Sequence, residues 1–424
     1  MSEITSVRAR EILNSRGDPT LEVEVATASG HRARAAVPSG PVSGERGARE
    51  LRDGDPARFC GQGVLSAVAT VEGELAAVLV GRDPSNQPGN DRAMIRADGT
   101  EDRSRLGVNA ILGCSVALAR VAAGESSVPL YRHMGGDLAT VLPVPFFNLL
   151  DSGLHAEDAS RVHEFMIAPV GVATFADALR AGSEIHHALG AELRDRNVPT
   201  VEGRTGGFVL EAARNRDAID LLLTAITRAG YRPAEDVALA LNPAGSGSLH
   251  EGRYVVDGQG QTLSPDQMIA YWAELADAYP IIVLEDAMSQ RDWPGWATLT
   301  RRLGDRLEVA GDDIFMSNSR IVARAALQGI ANSMLITPSQ IGTLTETFAT
   351  IGLARRAGYH VFVSHCARET TDDFIADLAV ATRAGRLISG APVHGERLAK
   401  YNRLLDIERE LGADAAYAGH EYRL

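Results

Sequence analysis

The sequence predicts an α/β protein made of a small N-terminal α+β cap, residues 1–138, and a larger β/α barrel, residues 139–424. Strand-like and then helix-like patterns fill the first part of the chain. After LPVPFFNLL the rhythm changes to apolar runs alternating with amphipathic stretches at the length of a βα unit. Five successive runs end in side chains bearing oxygen or nitrogen: VALALN in Asn242, IIVLED in Glu285 and Asp286, LEVAGDD in Asp312 and Asp313, SMLIT in Thr337, and HVFVSH in Ser364 and His365. Buried parallel strands read as apolar runs, and core packing does not require polar ends; barrel chemistry sits at those ends.

In the cap, LEVEV alternates apolar and acidic residues, ATASGH supplies a turn and RARAAV returns, which spells a hairpin. PSGPVSGERGARELRDGD carries Pro, Gly and Ser without an apolar period, so a loop is expected there. Two helical patterns follow, GVLSAVATVEGELAAVLVG and LGVNAILGCSVALARVAAG, with Ala-rich faces suited to close packing. In the second part FMIAPV leads into TFADALRAGSEIHHAL, VALALN into SPDQMIAYWAELADAY, IIVLED into WPGWATLTRRL, EVAGDD into RIVARAALQG, MLIT into TLTETFATIGLARRAG, and HVFVSH into DDFIADLAVATRAG. The helix GERLAKYNRLLDIERELG closes the set. Periodicity is the same for an open sheet and a closed barrel; the number of units favours the barrel.

At 424 residues the chain exceeds what one core usually holds. A net charge of −13 and a pI near 5.4 exclude nucleic acid and an anionic membrane as partners on electrostatic grounds. No apolar run is expected to span a membrane, and MSEITSVRAREILN lacks the apolar core of a signal peptide, so a cytoplasmic location is expected. The three cysteines, Cys60, Cys114 and Cys366, have neither disulfide-frame nor zinc-site spacing. Among 42 basic residues only Lys400 is a lysine, so a mechanism needing a tunable lysine base must use Lys400 or none.

The ordered set NSRGDPTLEVEV, VPSG, ELRDGD, LGVNAILG, LPVPFFNLL, HEFMIAP, YPIIVLED, GDD, SQIGTL, VSH, FIADLAV, SGAP and GERLAKYNRLL resembles the enolase (phosphopyruvate hydratase) family along nearly the whole chain. The resemblance implies an enolase-type modified (β/α)8 barrel behind the cap, a homodimer or higher homo-oligomer, Mg2+ as cofactor, and a small phosphorylated or phosphonate carboxylic acid as substrate. It places the metal ligands on Asn242, Glu285 and Asp312, of which the first is an amide here. The family's base, a lysine, falls on Thr337; its second lysine on Ile388; the glutamate that assists hydroxyl loss on Thr205, with Glu202 nearby. The phosphate-holding SHRS becomes SHCA, with Cys366 and Ala367. The mobile-loop serine matches Val42, with Ser43 adjacent, and the family's dimer-contact arginine matches Asp406.

Retained are His155, Glu164, Glu285, Asp312, Gln340 and His365. His155, Glu164 and His365 are therefore the candidate catalytic residues, with His163 as a replacement base because imidazole titrates near neutrality. Gln340, Arg368, Thr337 and Ser364 are the candidate substrate-binding residues, Arg368 standing two positions after the lost arginine; Arg204 is a further candidate for that anion. Cys366 beside His365 is expected to be an inert buried thiol, and His186 and His187 a packing pair. The whole implies a divergent paralogue with a Mg-dependent reaction on a phosphoenolpyruvate- or 2-phosphoglycerate-like acid, in specialised metabolism rather than glycolysis. Alternatives are a carboxyphosphonoenolpyruvate synthase-type transfer, a hydratase with compensating residues, and a non-catalytic homologue.

Overall fold

The computed structural model describes residues 2–40, 47–152, 162–210, 214–256 and 261–422. Val42, Ser43 and His155 lie outside the described residues.

The cap begins as an antiparallel meander of β1 (Ile4–Leu13), β2 (Pro19–Thr27) and β3 (Arg32–Ala36). Leu21, Val23 and Val25 of β2 are fully buried, while Glu22 and Glu24 face out and pair with Arg10 and Arg34. The period of two in LEVEV thus separates core from surface. Helix Val108–Ser126 packs on the buried face. Its Gly113 sits where an added Cβ would lie 2.5 Å from Val23 Cγ2, so the close approach needs glycine. This helix is long and apolar enough by length and composition to cross a membrane, contrary to the expectation that no segment would be, yet it is a core helix with 83% of the apolar window buried.

The first helical pattern runs as Leu65–Thr70, a π turn Val71–Leu75 and Ala76–Leu79. A further helix, Gln87–Asp98, escapes the hydrophobic pattern because much of it is polar; Asn86 caps its start by accepting from Gly89 N, and Gly99 ends it at φ 70°.

Eight strands close the barrel: β4 (Val144–Asp151), β5 (Glu164–Ala168), β6 (Ala238–Asn242), β7 (Ile281–Glu285), β8 (Glu308–Gly311), β9 (Ser333–Ile336), β10 (His360–Ser364) and β11 (Arg386–Ile388), which pairs back onto β4. The uniform βα rhythm read from the sequence fails at β5, which is antiparallel to both neighbours. Only residues 152–163 link β4 to β5, and a parallel return needs a crossover helix. The two helices that follow, Phe175–Asp195 and Asn215–Arg228, then lead to β6. Reversal has a functional effect, because Glu164, the first residue of β5, lies level with Asp151 and Asn242 at the same mouth as the ends of the parallel strands.

Cap and barrel share one continuous apolar core and are also stitched by half-buried charge. Arg120 of the cap helix donates to both oxygens of Asp372 (2.6 and 2.9 Å) and to Asp373 (2.7 Å), and Ala36 N donates to Asp372 (2.8 Å). Removing one partner of such a pair strands the other. Arg120→Leu is expected to cost about 3 kcal/mol in urea denaturation; an unchanged midpoint would contradict this role for the junction.

Candidate active site

The barrel mouth gathers six carboxylates. Asp151, Glu285, Asp286, Asp312 and Asp313 end or follow β4, β7 and β8, Glu164 begins the reversed β5, and among the described residues none forms an ion pair with a basic side chain. Glu164, Glu285 and Asp286 are less than a tenth exposed. Burial pushes the Glu285 carboxyl well above its ordinary range, reinforced by Asp286, Glu164, Asp312 and Asp313. Burial and then Asp313 raise Asp312 to about 7. Burial and then Glu164 raise Asp151 to about 7. Asp286 is raised by burial and by Asp313 and Asp312. It sits at φ 45°, a left-handed conformation uncommon for a side-chain-bearing residue, which lets its carboxylate accept from Asp312 N (3.2 Å) and Asp313 N (3.0 Å). Asp286 thereby fixes the backbone that presents Asp312.

Asn242 donates from Nδ2 to Glu285 Oε1 (2.9 Å) and accepts Ala244 N on Oδ1 (3.0 Å). Where a third carboxylate would meet a cation, an amide N–H meets Glu285. Among the described residues no group of three His, Cys, Asp or Glu side chains is placed to hold a metal ion. Glu285 and Asp312 remain as oxygen donors suited to a hard cation, both raised by burial first and by neighbouring carboxylates second, a cost that a bound cation would offset. The residues therefore fit a divalent cation with two carboxylates and one amide, a weaker set than three carboxylates.

Two residues that the sequence reasoning passed over complete this side. Asn148 of β4 donates from Nδ2 to Asp151 (2.5 Å), Thr205 Oγ1 (2.6 Å) and Glu164 (3.3 Å), linking the Asp151 and Glu164 pair to the loop after it. Both Asn148 and Asp151 close an apolar run, FFNLLD, so the same signal that exposed the other strand ends was present. Glu202 is not in this group; it pairs at the surface with His394 (2.7 Å). His163 is exposed just ahead of β5, its backbone N–H donating to Asn242 O (2.8 Å).

On the β9 and β10 side, buried Thr337 donates its backbone N–H to Ser317 Oγ (3.0 Å). Ser317 in turn donates to Gln340 Oε1 (2.6 Å), whose Nε2 donates to Asp312 (3.3 Å). Gln340 thus orients Asp312. Thr337, Ser364, Cys366 and Lys400 border one small, largely apolar cavity of about 30 Å³ between cap and barrel. Lys400 was expected away from the site; it is close behind it. Its ammonium is nonetheless committed, donating to Glu369 Oε2 (2.8 Å), Thr370 O (2.6 Å) and Glu396 O (2.7 Å), which uses all three N–H groups. The Cys366 thiol is buried beside Ser339 Oγ and pushed up by burial, so it is inert as expected.

His365 is held by Arg397, whose Nη1 donates to His365 Nδ1 (2.5 Å) and to Cys366 O (3.0 Å). A guanidinium has no lone pair to offer, so Nδ1 accepts and the imidazole carries its proton on Nε2. Burial, then Arg397 and Lys400, hold His365 well below its ordinary pKa, so it is a neutral donor at pH 7 rather than an acid in its cationic form. Arg397 itself, fully buried, was missed because GERLAK read only as a closing helix.

The carboxylate cluster sets a pH dependence. Folding raises Asp312 and Asp151 from ordinary carboxyl values to about 7. The folded state then binds more protons than the unfolded chain between the two values, so stability falls as pH rises from about 4 to about 7. Denaturation in the presence of a metal chelator is expected to show that decline. Stability that rises over this interval would contradict it.

Residues 139–424 match the family described as "Enolase, C-terminal TIM barrel domain" and residues 4–134 the one described as "Enolase, N-terminal domain". A protein of Rubrobacter xylanophilus named Enolase is 50% identical over 419 residues, covering 99% of this chain and 97% of that protein. The closed barrel agrees with the TIM barrel named in the C-terminal match, and the two matches and the relative together cover nearly the whole chain: this chain belongs to the enolase family and is an enzyme of that lyase lineage.

Proposed function

We propose that this enzyme is a divergent member of its family that uses Mg2+ and a phosphoenolpyruvate- or 2-phosphoglycerate-like acid, in chemistry other than glycolytic dehydration. The observation that carries the reading is Thr337 at the top of β9, where the family's lysine base is expected, while the chain's one lysine is fixed by three hydrogen bonds. A hydroxyl does not abstract the proton beside a carboxylate.

Glu285 and Asp312 would hold the cation, with Asn242 beside them. When bound it would stabilise negative charge gathered on the ligand carboxylate. Gln340 and the Asp286 carboxylate keep Asp312 in place. Asn148 donates to both Asp151 and Glu164, and Asp151, raised to about 7, is partly protonated at pH 7 and can offer that proton to a ligand oxygen. His365 offers Nε2–H as a fixed donor. Such a pocket binds, orients and protonates oxygens, which serves a transfer to or from an enolpyruvyl acid; a carboxyphosphonoenolpyruvate synthase-type step is one reaction of that kind.

The second reading, hydration and dehydration as in glycolysis, is favoured by the 50% identity to the Rubrobacter protein. An optical assay of phosphoenolpyruvate formed from 2-phosphoglycerate decides between them. The rate is expected to fall at least about 10²-fold short of the Rubrobacter protein assayed alongside, the usual contribution of one acid–base group; an equal rate overturns the proposal. Asn242→Asp should tighten Mg2+ roughly tenfold in calorimetry by adding a third carboxylate. No change on that substitution would remove Asn242 from the cation site.

A further inference from the structure

We propose that Arg16, Arg204 and Arg368 form an oxyanion-binding rim that takes the phosphoryl or phosphonyl group of the ligand, with Arg397 as the residue that positions them. The inference rests on the reading above that the ligand is a small anionic acid. It gives a ligand-binding role to arginines of the cap and of two barrel loops.

Four segments converge here. The turn carrying Arg16 is shaped by Asn14 Oδ1, which accepts from Arg16 N (2.9 Å) and Asp18 N (3.2 Å), and it docks on the loop after β10 through Ser15 N to Glu369 O (2.7 Å). That contact sets Arg16 beside Arg368, whose own carbonyl accepts from Ser39 N (2.9 Å). From beneath, Arg397 donates to the carbonyls of Cys366 (3.0 Å), Ala367 (3.3 Å) and Arg204 (3.4 Å), clamping the loop after β10 to the loop that carries Arg204.

The compensation is poor. Among the described residues the side chains of Arg16 and Arg204 have no carboxylate partner, and Arg368 reaches only Asp18, at 3.7 Å. Among the described residues, buried Arg16 Nε has no hydrogen-bond partner. Elsewhere most arginines of this acidic chain sit against carboxylates, such as Arg120, Arg386 and Arg403. Burial and the charges of Arg204 and Arg368 depress Arg16 below its ordinary value, the sign of cations pressed together. A tetrahedral dianion relieves that repulsion and matches the planar fork of guanidinium N–H donors.

Titration calorimetry of the full chain tests the assignment, with inorganic phosphate and with phosphoenolpyruvate plus Mg2+ as probes, on the wild type, Arg204→Ala, Arg204→Lys and Arg16→Ala. Arg204 is exposed, so its truncation leaves the fold intact, and a melting curve of each variant checks this. Expected is a loss of phosphate affinity of roughly tenfold or more in both alanine variants, partial recovery in Arg204→Lys, and unchanged Mg2+ affinity. If phosphate binds in an arginine-dependent way but phosphoenolpyruvate does not bind, the rim stands and the reading of the ligand falls. If phosphoenolpyruvate binds equally well to wild type and both alanine variants, the rim is overturned and the reading of the ligand survives. A wild type that binds neither probe overturns both.

Discussion

Six acidic side chains gather at the mouth of this barrel, and among the described residues none of them is paired with a basic side chain. Like charges in a poorly hydrated place repel strongly, and the repulsion is relieved only by protons, by a cation or by an incoming ligand that brings one. Asp312 and Asp151 at about 7 are the internal record of that conflict. Much of the surrounding structure reads as its management: the left-handed Asp286 braces the backbone of the next strand, Asn148 ties Asp151 to Glu164, and Asn242 offers Glu285 an N–H. The antiparallel return of β5 belongs to the same design, since it alone brings Glu164 to this mouth.

Arg397 makes His365 a neutral donor and ties the loop after β10 to the loop that carries Arg204. On the proposed reading, the carboxylates serve the cation and these arginines the anionic end of the ligand. The same physics accounts for what has been replaced. On the proposed reading, Thr337 and Ile388 stand where the resemblance places two lysines and Asn242 where it places a carboxylate, so the local charge is redistributed while the frame that carries it persists.

The sequence made most of this legible, unevenly and for physical reasons. Apolar runs ending in polar residues located Asn242, Glu285, Asp312, Thr337 and His365 on successive strand ends, because a barrel strand must be apolar until it reaches the mouth. That rule assumes parallel strands, so it was silent on the reversed β5, whose site residue comes first rather than last. It was equally silent on Arg16 and Arg397, which act through guanidinium groups supplied by a turn and a closing helix rather than a strand end. Family resemblance located Glu164 but left the direction of its strand unread. Helix Gln87–Asp98 was invisible for another reason: few of its positions are apolar, and its boundaries are written in caps, Asn86 and Gly99.

The central claim is that this pocket retains the means to hold an anionic three-carbon acid but has no group that takes hydrogen from carbon. Proton magnetic resonance of 2-phosphoglycerate incubated with the protein and Mg2+ in deuterium oxide reads that step directly, independent of any later one. The account predicts that the ligand resonances broaden on binding while the hydrogen on carbon 2 persists. Loss of that hydrogen to solvent, at a rate proportional to protein concentration, would contradict it.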